Sequence, residues 1–343
     1  MIRLLLTATP KTWHRVSGFR FNSDESTLIT TAPLYALLLS ALRVVGMDVP
    51  TVSYLIGATS LVGAAFACAT LARNGQGLAG YVAGLCLLGF PLMWLTMGFE
   101  TPLFIAVSLW AFVCVGARRY VGAGVLCGIG MGLRGDGAIV LGVCVIGTIV
   151  QFLRQKGKGS AAISLTRRQK ETLLRSFCLL PFAFCLYAPL ALWLTLQFGS
   201  PLPSTLQTKT AQAVSGLTGF YVNTSYLEGL LILIRAYINQ GGVFIITLVV
   251  MALGVALAFG LGLNWSRQVR IATPAGLSVG LPDAPENEPT YLLPVLWLLL
   301  HAIGYSAIGV APYVWYYAPH VAGRVRADWP GDGDDLCAHE RAL

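Results

Sequence analysis

Few acidic residues border apolar segments of this chain, and the side chains of three of them are the first candidates for chemistry. They are Glu100, Asp136 and Glu228. A charged side chain at the centre of a membrane helix costs about 2.5–3.5 kcal/mol, so acids beside such segments carry information about function. We assign Glu100 and Asp136 as candidate catalytic carboxylates that face an outer cavity. For Glu100, a carboxylate that only stabilises the N-terminus of the next helix is the open alternative.

Arg134 and Asp136 flank a single glycine, and two interpretations of this pair stay open. In the first, the two side chains form a local ion pair that closes a turn. In the second, Arg134 binds an anion or a hydroxyl, because its planar guanidinium matches phosphate oxygens with two parallel hydrogen bonds. Arg134 is therefore a candidate substrate-binding residue.

Further polar and aromatic candidates follow along the chain. Two prolines stiffen the loop Pro201–Thr205 ahead of Lys209, where hydroxyls and an ammonium group suit a phosphate or a sugar. An ordinary outer loop is the alternative there. The segment Pro312–His320 is rich in aromatic residues, which favour a membrane–water interface. We assign to substrate binding Lys209, Tyr316, Tyr317 and His320. His301 lies in an apolar run and is interpreted as a core histidine whose hydrogen bonds are satisfied.

Composition indicates which elements must position these residues. The 343-residue chain is 56% hydrophobic and 11% charged, whereas an average soluble domain is about 25% charged. Its mean hydropathy is +0.70. These values exclude a soluble fold, intrinsic disorder, a coiled coil and a small disulfide scaffold. Long apolar runs favour helices, at about 20 residues per span. The sequence predicts an all-α, polytopic integral membrane bundle of about nine or ten segments.

The predicted organisation has three parts. Residues 1–28 are a polar N-terminal segment, residues 29–320 form the transmembrane domain, and residues 321–343 are a polar tail. The domain begins with apolar segments at 29–47, 52–72 and 78–97, the third kinked at Pro91. Further apolar segments follow at 103–117, 120–133, 138–153, 177–198, 243–263 and 291–310, and the short segment 226–238 fits an interfacial helix.

Residues 154–175 indicate the orientation of the bundle, because they contain seven basic residues and one acid, Glu171. Loops rich in Lys and Arg stay in the cytoplasm. The outer loop is then 199–225 and a second inner loop is 264–290. Counting back places Glu100 and the Arg134–Asp136 turn outside, and residues 1–28 inside if every segment crosses. The net charge of +8 follows from these loops, and no nucleic-acid partner is predicted, since stacking aromatics are not interleaved with them.

Small residues mark close packing rather than a cofactor site. Gly124, Gly128 and Gly132 recur every four residues and predict a close approach of two helices. No strand precedes them, so a dinucleotide-binding loop is excluded. Seven of the eight cysteines lie in apolar runs and no C-x-x-C pair occurs, which is typical of small buried side chains. No resident cofactor is predicted, and a divalent metal stays an open alternative.

Several short motifs recur in one family of membrane enzymes. They are Gly18–Asn22, Thr31–Tyr35, Met97–Phe104, Gly132–Gly137 and Phe198–Thr205, the last followed by Lys209. Taken together, between about residues 12 and 320, they resemble the polytopic glycosyltransferases that use polyprenyl-phosphate-linked sugars, the GT-C superfamily. The likeness is to its arabinofuranosyl- and mannosyltransferase-like branch.

This resemblance implies a fold, a location and a reaction. The fold is a helical bundle in a bacterial-type plasma membrane, surrounded by lipid, with an outward-facing active site. A carboxylate deprotonates the acceptor hydroxyl, which displaces a polyprenyl phosphate with inversion at the sugar, while a cation neutralises the leaving phosphate. Arg134 and Lys209 are implied for that phosphate, and Glu100 and Asp136 for sugar or acceptor contacts.

The resemblance also implies parts that are missing from this sequence. Family members begin with an extra helix and an outer acidic motif that supplies the base, and Asp24 and Glu25 lie downstream of that motif. The family places residues 1–28 outside, which requires one short segment not to cross. We expect a chain truncated at both ends, for which inactivity is one alternative. A transporter or flippase for a lipid-linked or small solute is another, because broken helices and charges within spans occur there too. A non-catalytic membrane subunit is the third.

Overall fold

The computed structural model describes residues 30–71, 77–89, 93–94, 96–157, 177–201 and 292–308, together with Glu228 and Arg235. Within these ranges the regular structure consists of eight α-helices and no strands, which confirms the all-α class for that part of the chain. The helices are α1 Pro33–Val44, α2 Val49–Leu71, α3 Gly77–Gly89, α4 Thr101–Gly116, α5 Tyr120–Leu133, α6 Gly137–Gly157, α7 Leu179–Phe198 and α8 Leu292–Ile308.

Two of the described helices, α2 and α7, are long and apolar enough to cross a membrane, judged by length and composition. They contain 23 and 20 residues. At 1.5 Å per residue their lengths are about 34 and 30 Å, close to the thickness of a bilayer's hydrocarbon core. Only 33% of the apolar window of α2 and 17% of that of α7 is buried inside the protein. Their outer faces are therefore apolar and exposed.

Helices α4, α5 and α6 run back and forth between two ends of the bundle. Glu100 immediately precedes α4, and residues 134–136 connect α5 to α6. Residues 117–119 connect α4 to α5 at the far end. We call the end that holds Glu100 and residues 134–136 the polar end, and the other the basic end, because α6 leads there into residues 154–175.

The glycine stripe of α5 packs directly against the backbone of α7. A Cβ atom built on Gly124 would lie 2.5 Å from the carbonyl oxygen of Leu179, and one on Gly128 would lie 2.7 Å from that of Ala183. The predicted close helix–helix approach is confirmed. Because residue numbers rise together along both helices, α5 and α7 are parallel, and both end at the polar end.

Helix α8 runs antiparallel to α6. The side chain of Leu293, at the start of α8, packs beside Gly147 near the basic end. Further along, Gly304 lies next to the side chain of Ile139, in the first turn of α6. The C-terminal half of α8 therefore reaches the polar end, where it contributes side chains to the site.

Helix α1 does not cross the bundle, so the prediction of a crossing segment over 29–47 is wrong. The Tyr35 hydroxyl, in the first turn of α1, donates a hydrogen bond to the carbonyl oxygen of Gly98 at 3.3 Å. Ser53, early in α2, lies 3.3 Å from a Cβ atom built on that same Gly98. The chain between them thus returns to the polar end, and Thr30 lies on the same side as Glu100.

Two capping signals explain why α1 is short. Gly46 has a φ of +87°, and the N–H groups of Gly46 and Met47 bond the carbonyls of Arg43 and Leu42, which is a Schellman motif. Asp48 then caps α2, because its Oδ2 accepts hydrogen bonds from the N–H and hydroxyl of Thr51 at 3.1 and 2.6 Å. These caps end a 12-residue helix inside the apolar run 29–47, which by hydropathy alone looks like one continuous segment.

The third predicted segment, 78–97, contains helix α3 in its first part and a turn at its end. Helix α3 ends at Gly89, and residues 96–98 form a turn that delivers the chain to Glu100. The predicted kink at Pro91 lies outside the described residues. The turn leaves the polar end with irregular backbone directly before α4.

A buried polar contact joins α4, α5 and α6 at the basic end. The Tyr120 hydroxyl donates a hydrogen bond to Gln151 Oε1 at 3.0 Å, and Gln151 Nε2 donates to the carbonyl oxygen of Val115 at 3.1 Å. Tyr120 is 2% exposed and Gln151 is 5% exposed. This contact fixes the ends of three helices relative to one another, at the opposite end from the site.

We expect Gln151→Leu to lower the free energy of unfolding by about 1–3 kcal/mol, because it removes the acceptor of the Tyr120 hydroxyl and the donor to Val115. Equilibrium unfolding of the full chain in detergent measures the change. Gln197→Leu is the matched control, since Gln197 is exposed on α7 and its replacement should leave the midpoint unchanged. Equal losses in the two variants would show that the buried contact contributes nothing.

Candidate functional site

Glu100, Arg134 and Asp136, all assigned from the sequence, meet at the polar end. Arg134 donates hydrogen bonds to both carboxylate oxygens of Asp136, from Nε at 3.0 Å and from Nη2 at 3.2 Å. Its Nη1 lies 3.4 Å from Glu100 Oε1 and 3.5 Å from the hydroxyl of Thr101. The local ion pair of the first interpretation is therefore present, and it extends across to the start of α4.

The three charged side chains are largely removed from solvent. Their exposed fractions are 13% for Arg134, 14% for Glu100 and 6% for Asp136. The guanidinium carbon of Arg134 lies 5.5 Å from the centre of the Phe104 ring, in a cation–π contact. An aromatic ring thus forms one wall of the site, and charge–charge interactions there are screened less than at an open surface.

Local backbone structure explains how these side chains come together. Glu100 occupies the N-cap position of α4, with Pro102 in the first turn, but its carboxylate makes no capping hydrogen bond. Its side chain is directed to Arg134 instead. Helix α5 ends at Leu133, and the N–H of Gly137 bonds the carbonyl of Arg134 at 2.9 Å, which closes the turn. Glu100 lies beside a helix N-terminus, as predicted. Its carboxylate, however, contacts the side chain of Arg134 instead of the backbone N–H groups of α4.

Two residues of α8 complete the arrangement. His301 Nε2 lies 3.2 Å from Asp136 Oδ2, and the Tyr305 hydroxyl donates a hydrogen bond to the same oxygen at 3.1 Å. The two rings stack with centroids 4.2 Å apart. His301 was expected to be a satisfied core histidine, and its partner is a charged site residue. Tyr305 was not predicted; its spacing of four from His301, on one helix face, was the only available signal.

Asp136 is held in its ionised form. Burial by itself raises the pKa of the Asp136 carboxyl, but the charge of Arg134 and the hydrogen bonds from His301 and Arg134 outweigh burial. The net pKa of Asp136 is well below its usual range. Burial likewise lowers the pKa of Arg134, yet the facing carboxylates leave that pKa above its ordinary value. A carboxylate of low pKa with both oxygens occupied is a poor proton acceptor.

Glu100 differs from Asp136 in the use of its oxygens. Only Oε1 contacts Arg134, and Oε2 has no hydrogen-bond partner among the described residues. Glu100 is therefore the carboxylate able to accept a hydrogen bond from an incoming hydroxyl, while Asp136 binds Arg134.

We call Glu100, Arg134, Asp136, His301 and Tyr305 the polar cluster; it joins the start of α4, the α5–α6 turn and α8. No family model, curated protein or solved structure matches this chain. The chemistry of the cluster is therefore inferred from its residues and their geometry. Buried, paired charges at one end of an apolar bundle are the feature that a function must explain.

The remaining candidates from the sequence are not brought into this geometry. Outside the described residues lie Asp24, Glu25, Lys209, Tyr316, Tyr317 and His320. Glu228 is described and exposed, in a helical conformation. Among the residues that the structure describes, no group of three or more His, Cys, Asp and Glu side chains is arranged to hold a metal ion.

Proposed function

We propose that the chain is a multi-pass membrane protein of about nine or ten spans with a GT-C-like fold. It transfers a sugar from a polyprenyl-phosphate donor to an acceptor outside the cytoplasm. The single observation that carries this proposal is the polar cluster. It buries a carboxylate with one available oxygen beside a guanidinium, at the polar end of an apolar helical bundle.

The orientation of the bundle supports an extracytoplasmic site. Helix α6 starts at the polar cluster and leads into residues 154–175, whose seven basic residues favour the cytoplasmic side. The polar cluster then faces outward, as lipid-linked donors require in this family. The first turn of α1 lies at the same end as Glu100, so the proposal puts Thr30 on the outer side. This agrees with the placement of residues 1–28 outside that the resemblance implies.

The contacts of Arg134 suggest how a donor phosphate binds. Its Nε and Nη2 bond Asp136 at 3.0 and 3.2 Å, whereas Nη1 contacts Glu100 and Thr101 at 3.4 and 3.5 Å. The longer contacts are the weaker ones. A phosphate oxygen therefore replaces Glu100 at Nη1, because a charge-assisted hydrogen bond to phosphate is short and strong. Asp136 stays in place and holds the guanidinium.

The proposed reaction then follows from the released carboxylate. Glu100 takes the proton of an acceptor hydroxyl, and that oxygen forms a bond to the anomeric carbon of the sugar. The bond from this carbon to the phosphate oxygen breaks, and the polyprenyl phosphate leaves with the electron pair. Arg134, with Lys209, neutralises the charge that develops on the leaving group. Asp136 contributes by fixing Arg134 rather than by accepting a proton.

We expect Glu100→Gln to lower sugar transfer by about 10²-fold, because the amide cannot accept the proton. The assay uses membranes that contain the full chain, with radiolabelled polyprenyl-phosphate mannose and polyprenyl-phosphate arabinose as donors. Asp48→Asn is the matched control: Asp48 is exposed near the start of α2, and asparagine still caps the helix. Transfer by Glu100→Gln at the rate of the wild type would refute the assignment of Glu100.

One feature of the polar cluster favours a second candidate, a transporter or flippase for a lipid-linked or small solute. Glu100, Arg134 and Asp136 bury charge at one end of an apolar bundle, and charged side chains in such positions mark substrate or ion pathways in membrane transporters. Substrate counterflow in proteoliposomes separates the two functions. Exchange of labelled solute above that of empty vesicles supports a transporter, whereas a transferase gives none.

A further inference from the structure

We propose that His301 and Tyr305 are positioning residues of this site. Together they fix the carboxylate of Asp136 and, through it, the direction in which Arg134 presents Nη1 to Glu100 or to a donor phosphate. The inference rests on the proposed function for its catalytic meaning. Its geometry is independent of which substrate binds.

Two donors from one helix converge on one carboxylate oxygen. His301 Nε2 and the Tyr305 hydroxyl lie 3.2 and 3.1 Å from Asp136 Oδ2. Their rings stack at an interplanar angle of 19°, so the two donors are fixed relative to each other. The spacing of four residues places both on one face of α8. Rotation of the Asp136 carboxylate would lengthen at least one of these contacts.

Asp136 transmits this constraint to Arg134 through both of its oxygens, one of which is the Oδ2 that His301 and Tyr305 contact. The bidentate contact holds the guanidinium and the carboxylate in a fixed mutual geometry. Because the guanidinium is planar, fixing Nε and Nη2 against Asp136 also fixes the direction of Nη1. The direction of Arg134 Nη1, which faces Glu100, is therefore set by residues of α8 that Nη1 does not need to contact.

Helix α8 supports the guanidinium by a second route. Trp297, one helical turn before His301, packs edge-on against Phe104 with ring centroids 5.9 Å apart. Phe104 in turn lies beneath the guanidinium of Arg134. The residues 297, 301 and 305 thus form one face of α8 that holds Arg134 from its aromatic side and from its carboxylate side.

The first arm of the test uses transfer kinetics of the full chain. His301→Gln places an amide N–H near the position of Nε2, whereas His301→Leu removes the donor. We expect Leu to lower kcat/KM for the lipid-linked donor about tenfold, since small displacements of positioning groups are costly. The KM for the acceptor should not change, and Gln should restore transfer to within about twofold of the wild type. Equal defects in Gln and Leu would overturn the proposal.

The second arm needs no activity and therefore separates this inference from the proposed function. Equilibrium unfolding of His301→Leu, Arg134→Gln and the double variant gives their coupling, which we expect to be at least about twofold in the unfolding constant. The coupling should vanish in an Asp136→Asn background, because Asp136 transmits it. Absence of coupling, or coupling that persists without the carboxylate, would overturn the inference. If the wild type transfers no sugar, this arm still decides.

Tyr305→Phe gives the same comparison with a smaller change. It removes the hydroxyl donor to Asp136 Oδ2 but keeps the ring that stacks on His301. It replaces His301→Leu in both arms should the leucine variant not fold. A donor kcat/KM for Tyr305→Phe equal to that of the wild type, without coupling to Arg134, contradicts a positioning role for Tyr305.

Discussion

Asp136→Ala should lower the free energy of unfolding by about 3–5 kcal/mol, the cost of removing one partner from a buried ion pair. The reason lies in the number of groups that Asp136 satisfies. Its two oxygens accept from Arg134 twice, from Tyr305, and lie within bonding distance of His301. Equilibrium unfolding in detergent of the full chain gives the value. A loss below about 1 kcal/mol would mean that the polar cluster does not stabilise the fold.

A matched pair of conservative substitutions controls for loss of a carboxylate as such. Asp136→Asn removes the charge that faces Arg134 but keeps the shape of the side chain, and we expect a clear loss of stability. Asp48→Asn makes the same chemical change at an exposed helix cap, where asparagine serves as well as aspartate. Its unfolding midpoint should equal that of the wild type. Equal midpoints for both variants would contradict the role of the buried charge.

The dependence of stability on pH gives a second readout of Asp136. Its pKa is lowered in the folded protein, so the ionised carboxylate stabilises the fold. That contribution is complete above the pKa of an unfolded aspartate, about 3.9, and declines as the pH falls below it. The wild type should therefore lose more stability than Asp136→Asn between pH 5 and about pH 3. Parallel curves for the two proteins would contradict the assignment.

Local sequence patterns predicted the centre of the bundle well. The apolar run 120–133 was expected to end at the Arg134–Asp136 turn, and α5 has those bounds. The stripe of Gly124 and Gly128 was expected to allow close packing, and it contacts the backbone of α7. Both successes depend on short-range information. Charged residues on either side of an apolar run set the ends of a helix. Glycine, which has no side chain, lets a neighbouring helix pack closely.

Hydropathy alone predicts a crossing over 29–47, whereas the capping residues inside this run end the first helix early. Gly46 and Asp48 are strong signals for the end of one helix and the start of the next. Their apolar neighbours concealed them within a run of suitable length. With α1 this short, Thr30 lies at the same end of the bundle as Glu100.

Long-range contacts limited what could be predicted about the site. The cost of burying charge selected Glu100, Arg134 and Asp136 from the sequence, and these three do meet. The different roles of Glu100 and Asp136 depend on which carboxylate oxygen contacts which partner. Spacing along the chain does not predict those contacts. His301 is 165 residues from Asp136. Only the docking of α8 against α6 shows that His301 and Tyr305 belong with the polar cluster.

Gly128→Leu should have the second largest effect, a loss of at least about 3 kcal/mol in the free energy of unfolding. Inserting a side chain into a packed interface costs about 1–3 kcal/mol, and more where neighbours cannot move aside. Here the obstacles are the carbonyl oxygen of Ala183 at 2.7 Å and Leu186 Cβ at 2.9 Å from the new Cβ position. A backbone carbonyl cannot rotate away, so α5 and α7 must separate along their length.

The sign of the effect at Gly128 separates packing from helix propensity. Alanine is favoured over glycine by about 1 kcal/mol inside a helix, so Gly142→Ala, with no atom within 4 Å of its Cβ position, should raise stability by up to that amount. Gly128→Ala should lower stability despite the same gain in propensity. Both variants are compared by equilibrium unfolding. A stabilising Gly128→Ala would mean that α5 and α7 do not pack in backbone contact, and α7 would lose its fixed place beside the helix that leads to Arg134.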